Sequence, residues 1–166
     1  PPSLISVSYE SNFSDSSLAT VGHVVTVTVE TDVEIQTPTV TISMNTATVT
    51  DLGNNKWQAT YTMQDDDADG IIPFEINSIT DIAGNPNNGT TATTDESIVI
   101  FDNTQPTLNT VRIASNNPDS TWAKVGDTLT VTFIAEELLT EQVVTVVNQS
   151  ATIINLGSEK YIAKYE

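Results

Sequence analysis

Cysteine is absent from this 166-residue chain and cations are scarce: 5 Lys and Arg stand against 22 Asp and Glu, a net charge of −17. The first absence excludes a disulfide-stapled fold and a thiol nucleophile, but not secretion, because about 100 residues can bury a sufficient core unaided. The second excludes a nucleic-acid interface, since phosphate contacts need clustered cations and Lys56, Arg112, Lys124, Lys160 and Lys164 are scattered. It also argues against an anionic membrane surface, and no apolar run reaches the length of a membrane span, so no membrane insertion is expected. One histidine, His23, with no second imidazole or thiol, leaves no zinc set and no Ser-His-Asp arrangement. No phosphate-cradling glycine loop is present, nor an isolated carboxylate pair in an apolar setting, so no enzyme is expected. What the acidic surplus favours is solubility and binding of divalent cations.

What the chain does have is a copy of itself. Residues 106–166 align without a gap onto residues 2–62 at a constant offset of 104 (106 − 2), with 22 of 61 positions identical. Val7, Asn12, Asp15, Val21, Gly22, Leu52, Gly53 and Tyr61 recur as Val111, Asn116, Asp119, Val125, Gly126, Leu156, Gly157 and Tyr165. Such self-similarity in one register is the signature of a tandem array. The expected domains are therefore 1–104, a whole repeat, and 105–166, a repeat truncated after its fifth strand. A half repeat does not bury its apolar face, so the parent polypeptide is expected to continue past Glu166.

The local pattern is all-β. Val25, Val27 and Val29 alternate with Thr26, Thr28 and Glu30, and Trp57, Ala59, Tyr61 and Met63 alternate with Gln58, Thr60 and Thr62. Their second-copy counterparts do the same through Leu129, Val131 and Phe133 and through Tyr161, Ala163 and Tyr165. No window carries a helical stripe, and β-branched residues dominate. Strands are expected near 4–10, 23–31, 39–44, 46–50, 56–63, 71–78 and 96–102, lettered A to G, with turn signals between them. Seven short strands in about 100 residues point to an immunoglobulin-like sandwich.

Asp81-Ile82-Ala83-Gly84-Asn85, the run from Ser97 to Pro106 and Val125-Gly126-Asp127 resemble the bacterial immunoglobulin-like and hyalin-like tandem repeats of large surface proteins and adhesins. The resemblance covers the whole chain and departs from the pattern at His23, where the second copy has Asp127. It implies a stack of β-sandwich beads at an extracellular, bacterial cell surface, and it implies architecture more firmly than any ligand.

Strand parity sharpens the reading. With strands alternating up and down, the A–B loop, the E–F loop and the exit after strand G share one pole, facing the B–C loop of the next repeat. That collects Asp15, Asp65, Asp66, Asp67, Asp69, Asp102, Asn103 and, from the second copy, Glu136, Glu137 and Glu141. Asp65, Asp67, Asp69 and Gly70 have the spacing of the first half of a calcium loop, in which alternate carboxylates converge and a glycine permits the turn. The twelfth position is Ile76, so a complete helix–loop–helix hand is excluded. The expected ligand set is Asp65, Asp67, Asp69, Asp102, Asn103 and Glu136, holding a calcium ion that stiffens the junction; the competing reading is a solvated acidic loop.

Other residues carry less. Trp57 lies on the inward face of strand E and reads as core. Trp122, in the A–B loop, packs at the pole or against a neighbour. Asp81 and Asn85 read as ordinary turn formers. Asn12, Asn88 and Asn148 begin Asn-x-Ser/Thr sequons of the kind that abundant Ser and Thr produce by chance. The function expected is a structural spacer whose partners are neighbouring repeats of the same polypeptide. The alternative is an immunoglobulin-like module binding carbohydrate or protein through its loops.

Overall fold

The computed structural model describes residues 1–166, contains no helix, and divides into two compact units, Pro1–Thr104 and Gln105–Glu166. In the first unit the strands are β1 (Leu4–Ser11), β2 (Leu18–Ala19), β3 (Val24–Thr31), β4 (Val40–Ile42), β5 (Asn45–Thr46), β6 (Thr48–Gly53), β7 (Lys56–Thr62), β8 (Gly70–Ile71), β9 (Phe74–Ile76), β10 (Ile79–Thr80), β11 (Pro86–Asn87) and β12 (Ile100–Phe101). One antiparallel sheet has the order β1-β3-β7-β6. Its inner face is built by ladders of apolar side chains, with Val7 opposite Val29 and Val29 opposite Trp57, then Tyr9 opposite Val27 and Val27 opposite Ala59. Because side chains alternate along a strand, these residues share one face, and all are buried.

The facing layer has two parts, β5-β4-β9 and β2-β12-β8, which meet where the chain passes from β8 to β9 through Ile72 and Pro73. Ile42, Ile72, Phe74, Ile76, Val99 and Phe101 point inward from it and complete a single core with the first sheet. At about 25 cal/mol per Å² of apolar surface, each such fully buried side chain contributes roughly 1.5–3 kcal/mol, so this core dominates the stability of the unit.

Two expected strands are shorter than their apolar runs. The stretch 71–78 is divided because Pro73 has no N–H to give a ladder; its carbonyl instead accepts the Ser43 amide at 2.8 Å. The stretch 96–102 reduces to Ile100–Phe101, because Glu96 has a left-handed φ of 60° and the Asp95 carboxylate takes the Ser97 amide at 3.1 Å, closing a turn ahead of the strand.

The second unit contains β13 (Leu108–Ser115), β14 (Leu129–Ala135), β15 (Thr145–Val146), β16 (Gln149–Ser150), β17 (Thr152–Asn155) and β18 (Lys160–Tyr165). Its sheet runs β13-β14-β18-β17, with β15 and β16 paired apart. Its pairings are those of the first unit with 104 added. Leu4 opposite Thr31 becomes Leu108 opposite Ala135, Val25 opposite Tyr61 becomes Leu129 opposite Tyr165, and the irregularity between Leu4 and Ser6 recurs between Leu108 and Thr110. The two-residue turns match as well: Ser43 and Met44 have φ of 51° and 62°, and Val147 and Asn148 have 51° and 59°. The second unit's core is smaller, centred on Phe133, Ala135 and Tyr161, with the first and last rings stacked at 5.2 Å.

Candidate functional site

The acidic loop of the first unit begins where β7 ends. The Met63 amide donates to His23 O and the Gly22 amide to Met63 O, both at 2.9 Å, fixing the loop 64–69 beside the turn before β3. Gly70, at φ 112°, then reverses the chain into β8. Since β8 and β12 are antiparallel, with Gly70 opposite Phe101, the residues after Phe101 run back past those before Gly70. The exit segment is also held from the other side, where the Asp102 amide donates to Ala19 O at 3.0 Å. The A–B loop, the E–F loop and the exit segment thus lie at one end of this unit.

The result is a hydrogen-bonded clasp. The Asp69 carboxylate accepts the Asn103 amide at 2.7 Å on Oδ1 and the Thr104 hydroxyl at 2.6 Å on Oδ2. The Asn103 side-chain amide donates to Asp65 Oδ1 at 3.0 Å. The Thr104 hydroxyl and then the Asn103 amide hold the Asp69 carboxyl below the ordinary carboxylate range, because both bonds favour its charged form.

Asp67 does not join them. Its carboxylate faces the β4–β5 turn, accepting the Ser43 hydroxyl at 2.6 Å on Oδ1 and the Gln64 amide at 2.7 Å on Oδ2. The Tyr61 hydroxyl lies 3.5 Å from the same Oδ1, and its phenol is pushed up, first by burial and then by Asp67. Asp102 turns onto its own strand end, taking the Thr104 amide at 3.0 Å. Glu136 belongs to the second unit, where its amide donates to Thr107 O at 3.0 Å.

Of the six expected ligands, the structure brings together Asp65, Asp69 and Asn103. The alternate carboxylates expected to converge are divided between two hydrogen-bond sets, and nowhere do three Asp, Glu or His side chains gather as a metal site requires. Calcium takes about six to eight oxygens, and the Asp65 and Asp69 carboxylates here accept N–H and O–H donors of Asn103 and Thr104. Thr104 and Ser43 were missed by the sequence reading, and the signal for Thr104 was the antiparallel G strand itself, which sets residues 102–104 against 67–69.

The other motifs resolve locally. Asn85 donates to both Asp81 oxygens at 2.8 Å, from its backbone and its side chain, which closes a turn and lowers the Asp81 carboxyl. Trp57 is buried in the core, whereas Trp122 is exposed. His23 stacks edge-on against Phe13 with ring centroids 4.8 Å apart. Comparison with protein-family models, with curated proteins and with solved structures gave no match.

Proposed function

We propose that this chain is a spacer segment: a tandem pair of immunoglobulin-like β-sandwich repeats, the second holding the first five strands of the pattern, in a stalk of an extracellular bacterial surface protein or adhesin. The observation that carries the reading is the constancy of the 104-residue offset through strand register, bulge and turn conformation. Repetition of one unit with only local contacts builds length rather than a reaction centre. The order β1-β3-β7-β6 supports the immunoglobulin-like assignment, because it is the A-B-E-D order of that sandwich. The clasp supports the spacer role, because Asp65 and Asp69 hold the chain just where it leaves the first repeat. The cell-surface location rests on the family resemblance and the acidic surplus.

Calcium enters this proposal as a counterion rather than a caged ligand. Asp15, Asp65, Asp66, Asp67, Asp69 and Asp102 repel one another at one end of the unit, and divalent cations relieve that repulsion. The test is thermal unfolding and small-angle scattering of a series with one, two and three complete repeats, in calcium and in chelator. The spacer reading expects a constant increment in maximum dimension per repeat; a dimension that fails to grow with repeat number sinks it. A graded calcium effect that magnesium reproduces fits the counterion role, and a stoichiometric, calcium-selective step lost in Asp69→Asn replaces it with a bound ion.

One feature favours the second reading, a ligand-binding module. An open cleft of about 570 Å³ in the first unit is bordered by Met44, Ile71, Phe74 and Ile98, and Met44 is 83% exposed. A glycan and peptide array probed with the whole chain decides it, since reproducible capture by the first unit that Met44→Asp abolishes would reverse the order of the two readings.

A further inference from the structure

Along the stretch through β8 and β9, successive residues turn their backbone groups to opposite sides. Pro73 O accepts the Ser43 amide at 2.8 Å and the Asn77 amide donates to Thr39 O at 3.0 Å, so the odd-numbered residues face β4. The even-numbered ones face away from it. The Ile72 amide donates to Val99 O at 2.9 Å, and Ile76 and Thr90 exchange two bonds at 2.9 and 3.0 Å. Phe74 lies between them, opposite Ile42 and directed to the same side as Ile72 and Ile76, and neither its N–H nor its C=O has a partner in the protein. A backbone pair left open in this way at a buried residue is rare.

The cause is the path of the chain from Thr90 to Val99, which is drawn off to the edge of β1. There Thr94 Oγ1 accepts the Val7 amide at 3.0 Å, the Thr94 amide donates to Val7 O at 2.9 Å, and Ser97 Oγ accepts the Tyr9 amide at 3.0 Å. The sheet opens beside Phe74, and the cleft of about 570 Å³ fills the opening. Its floor holds the Tyr9 and Phe74 rings, with centroids 5.2 Å apart, and its rim exposes Met44, Ile71 and Ile98 at 83%, 64% and 47%. The only charged side chains around it are Glu75 and Glu96. Lys56, the sole Lys or Arg of the first unit, is engaged by Glu30 at 3.3 Å.

Resting on the ligand-binding reading of this cleft, we propose that the opening beside Phe74 docks an extended peptide of a partner protein, one that alternates apolar with Lys or Arg side chains. One residue of an antiparallel strand exchanges both bonds with the open Phe74 pair. Its apolar neighbour enters over the two rings, and a cation beside it meets Glu75 or Glu96. Each part of that chemistry answers a feature of the cleft. A sugar would set its hydroxyls against Met44, Ile71 and Ile98, where nothing polar receives them. A second copy of this chain, at −17, brings its own acidic surplus to an acidic rim.

The test titrates the whole chain with a labelled peptide of alternating lysine and valine, and with its counterpart of alternating glutamate and valine. Saturable one-to-one binding of the lysine peptide is expected, at least about tenfold tighter than the glutamate peptide, with amide exchange at Phe74 slowed about tenfold. Both peptides meet the unaltered chain, so folding is not at stake. In the double variant E75K and E96K, changed at exposed positions, the order of the two peptides is expected to reverse. Absence of saturation by the lysine peptide, equal binding of the two, or binding that leaves Phe74 exchange unchanged overturns the proposal. Capture of a glycan or an acidic peptide that Met44→Asp abolishes also overturns it while keeping the ligand-binding reading, whereas no capture of any kind sinks both.

Discussion

Asp69 and Thr104 stand 35 residues apart, and the carboxylate of the first accepts the hydroxyl of the second at 2.6 Å, so the loop after β7 grips the chain at the end of the first unit. Replacing Asp69 with Asn removes the charge that strengthens both bonds to the exit segment. Amide exchange at Asn103 is expected to quicken by about tenfold, while the amides of β3 and β7 stay as slow as before. Unchanged exchange at Asn103 would show that the clasp does not order the exit.

The same bonds set a pH dependence. Asp15, Asp69, Asp81, Asp95, Asp119 and Asp127 are all held below their ordinary value, first by side-chain donors from Ser17, Thr104, Asn85, Ser97, Thr121 and Asn117 and then by backbone amides. A lowered folded-state pKa means that the unfolded chain binds more protons in this range, so stability rises with pH there. The contribution is complete above the unfolded value near 3.8 and is lost as pH falls through the lower folded values. Relief of the repulsion among the 22 acidic residues acts in the opposite direction. The urea midpoint is expected to fall as pH drops below about 4, with a shallower fall in Asp69→Asn. A midpoint that climbs steadily to the lowest pH would show that net repulsion outweighs these local bonds.

Val7 and Val111 make a matched pair for core energetics. Val7→Ala is expected to cost on the order of 2 kcal/mol, from lost burial and a residual cavity. Val111→Ala, at a side chain that is 59% exposed, is expected within about 0.5 kcal/mol. Chemical denaturation of each variant reads the difference, and equal losses would mean that the second unit buries this side chain in solution.

Gly89 is the glycine that the fold cannot exchange. At φ 72°, a Cβ there would stand 2.0 Å from Ile76 O and 2.4 Å from Asn77 O. Both contacts are with backbone, and the Ile76–Thr90 bridge beside them holds β9 in place. Gly89→Ala is expected to cost at least about 2 kcal/mol, against roughly 1 kcal/mol for Gly53→Ala, where the φ is 75° but the space is open. Similar melting temperatures for the two variants would refute the distinction.

Val147 offers a gain. A β-branched residue at φ 51° in a two-residue hairpin turn is strained, and its first-unit counterpart is Ser43, at the same angle. Val147→Asn is expected to stabilise the second unit by about 1 kcal/mol, read from its unfolding midpoint.

Alternation made the long strands legible. The period of two sets Val25, Val27 and Val29 on one face of their strand and Trp57 and Ala59 on one face of theirs, and all five are buried. Short pieces were not legible. β2 has two residues, too few for any periodicity, and exists because β12 lies beside it. The division at Pro73 was readable in principle, since proline lacks the donor a central strand needs. At the acidic loop the sequence shows which residues are close along the chain but not which way each carboxylate turns. Ser43 and Gln64 draw Asp67 one way, and Asn103 and Thr104 draw Asp69 the other, and both choices depend on donors that only the folded chain brings near.

The parallel pairing of β2 with β12 joins a segment near the start of the first unit to one at its end, through bonds from Ile100 N to Ser17 O at 2.8 Å and from Asp102 N to Ala19 O at 3.0 Å. A pull that separates the two ends of this unit drags those strands along their own axes in opposite directions. The ladder is then loaded in shear, all its bonds straining at once, instead of being peeled open one after another. A bead wired in this way resists a pull on β2 and β12 along the strands rather than across them.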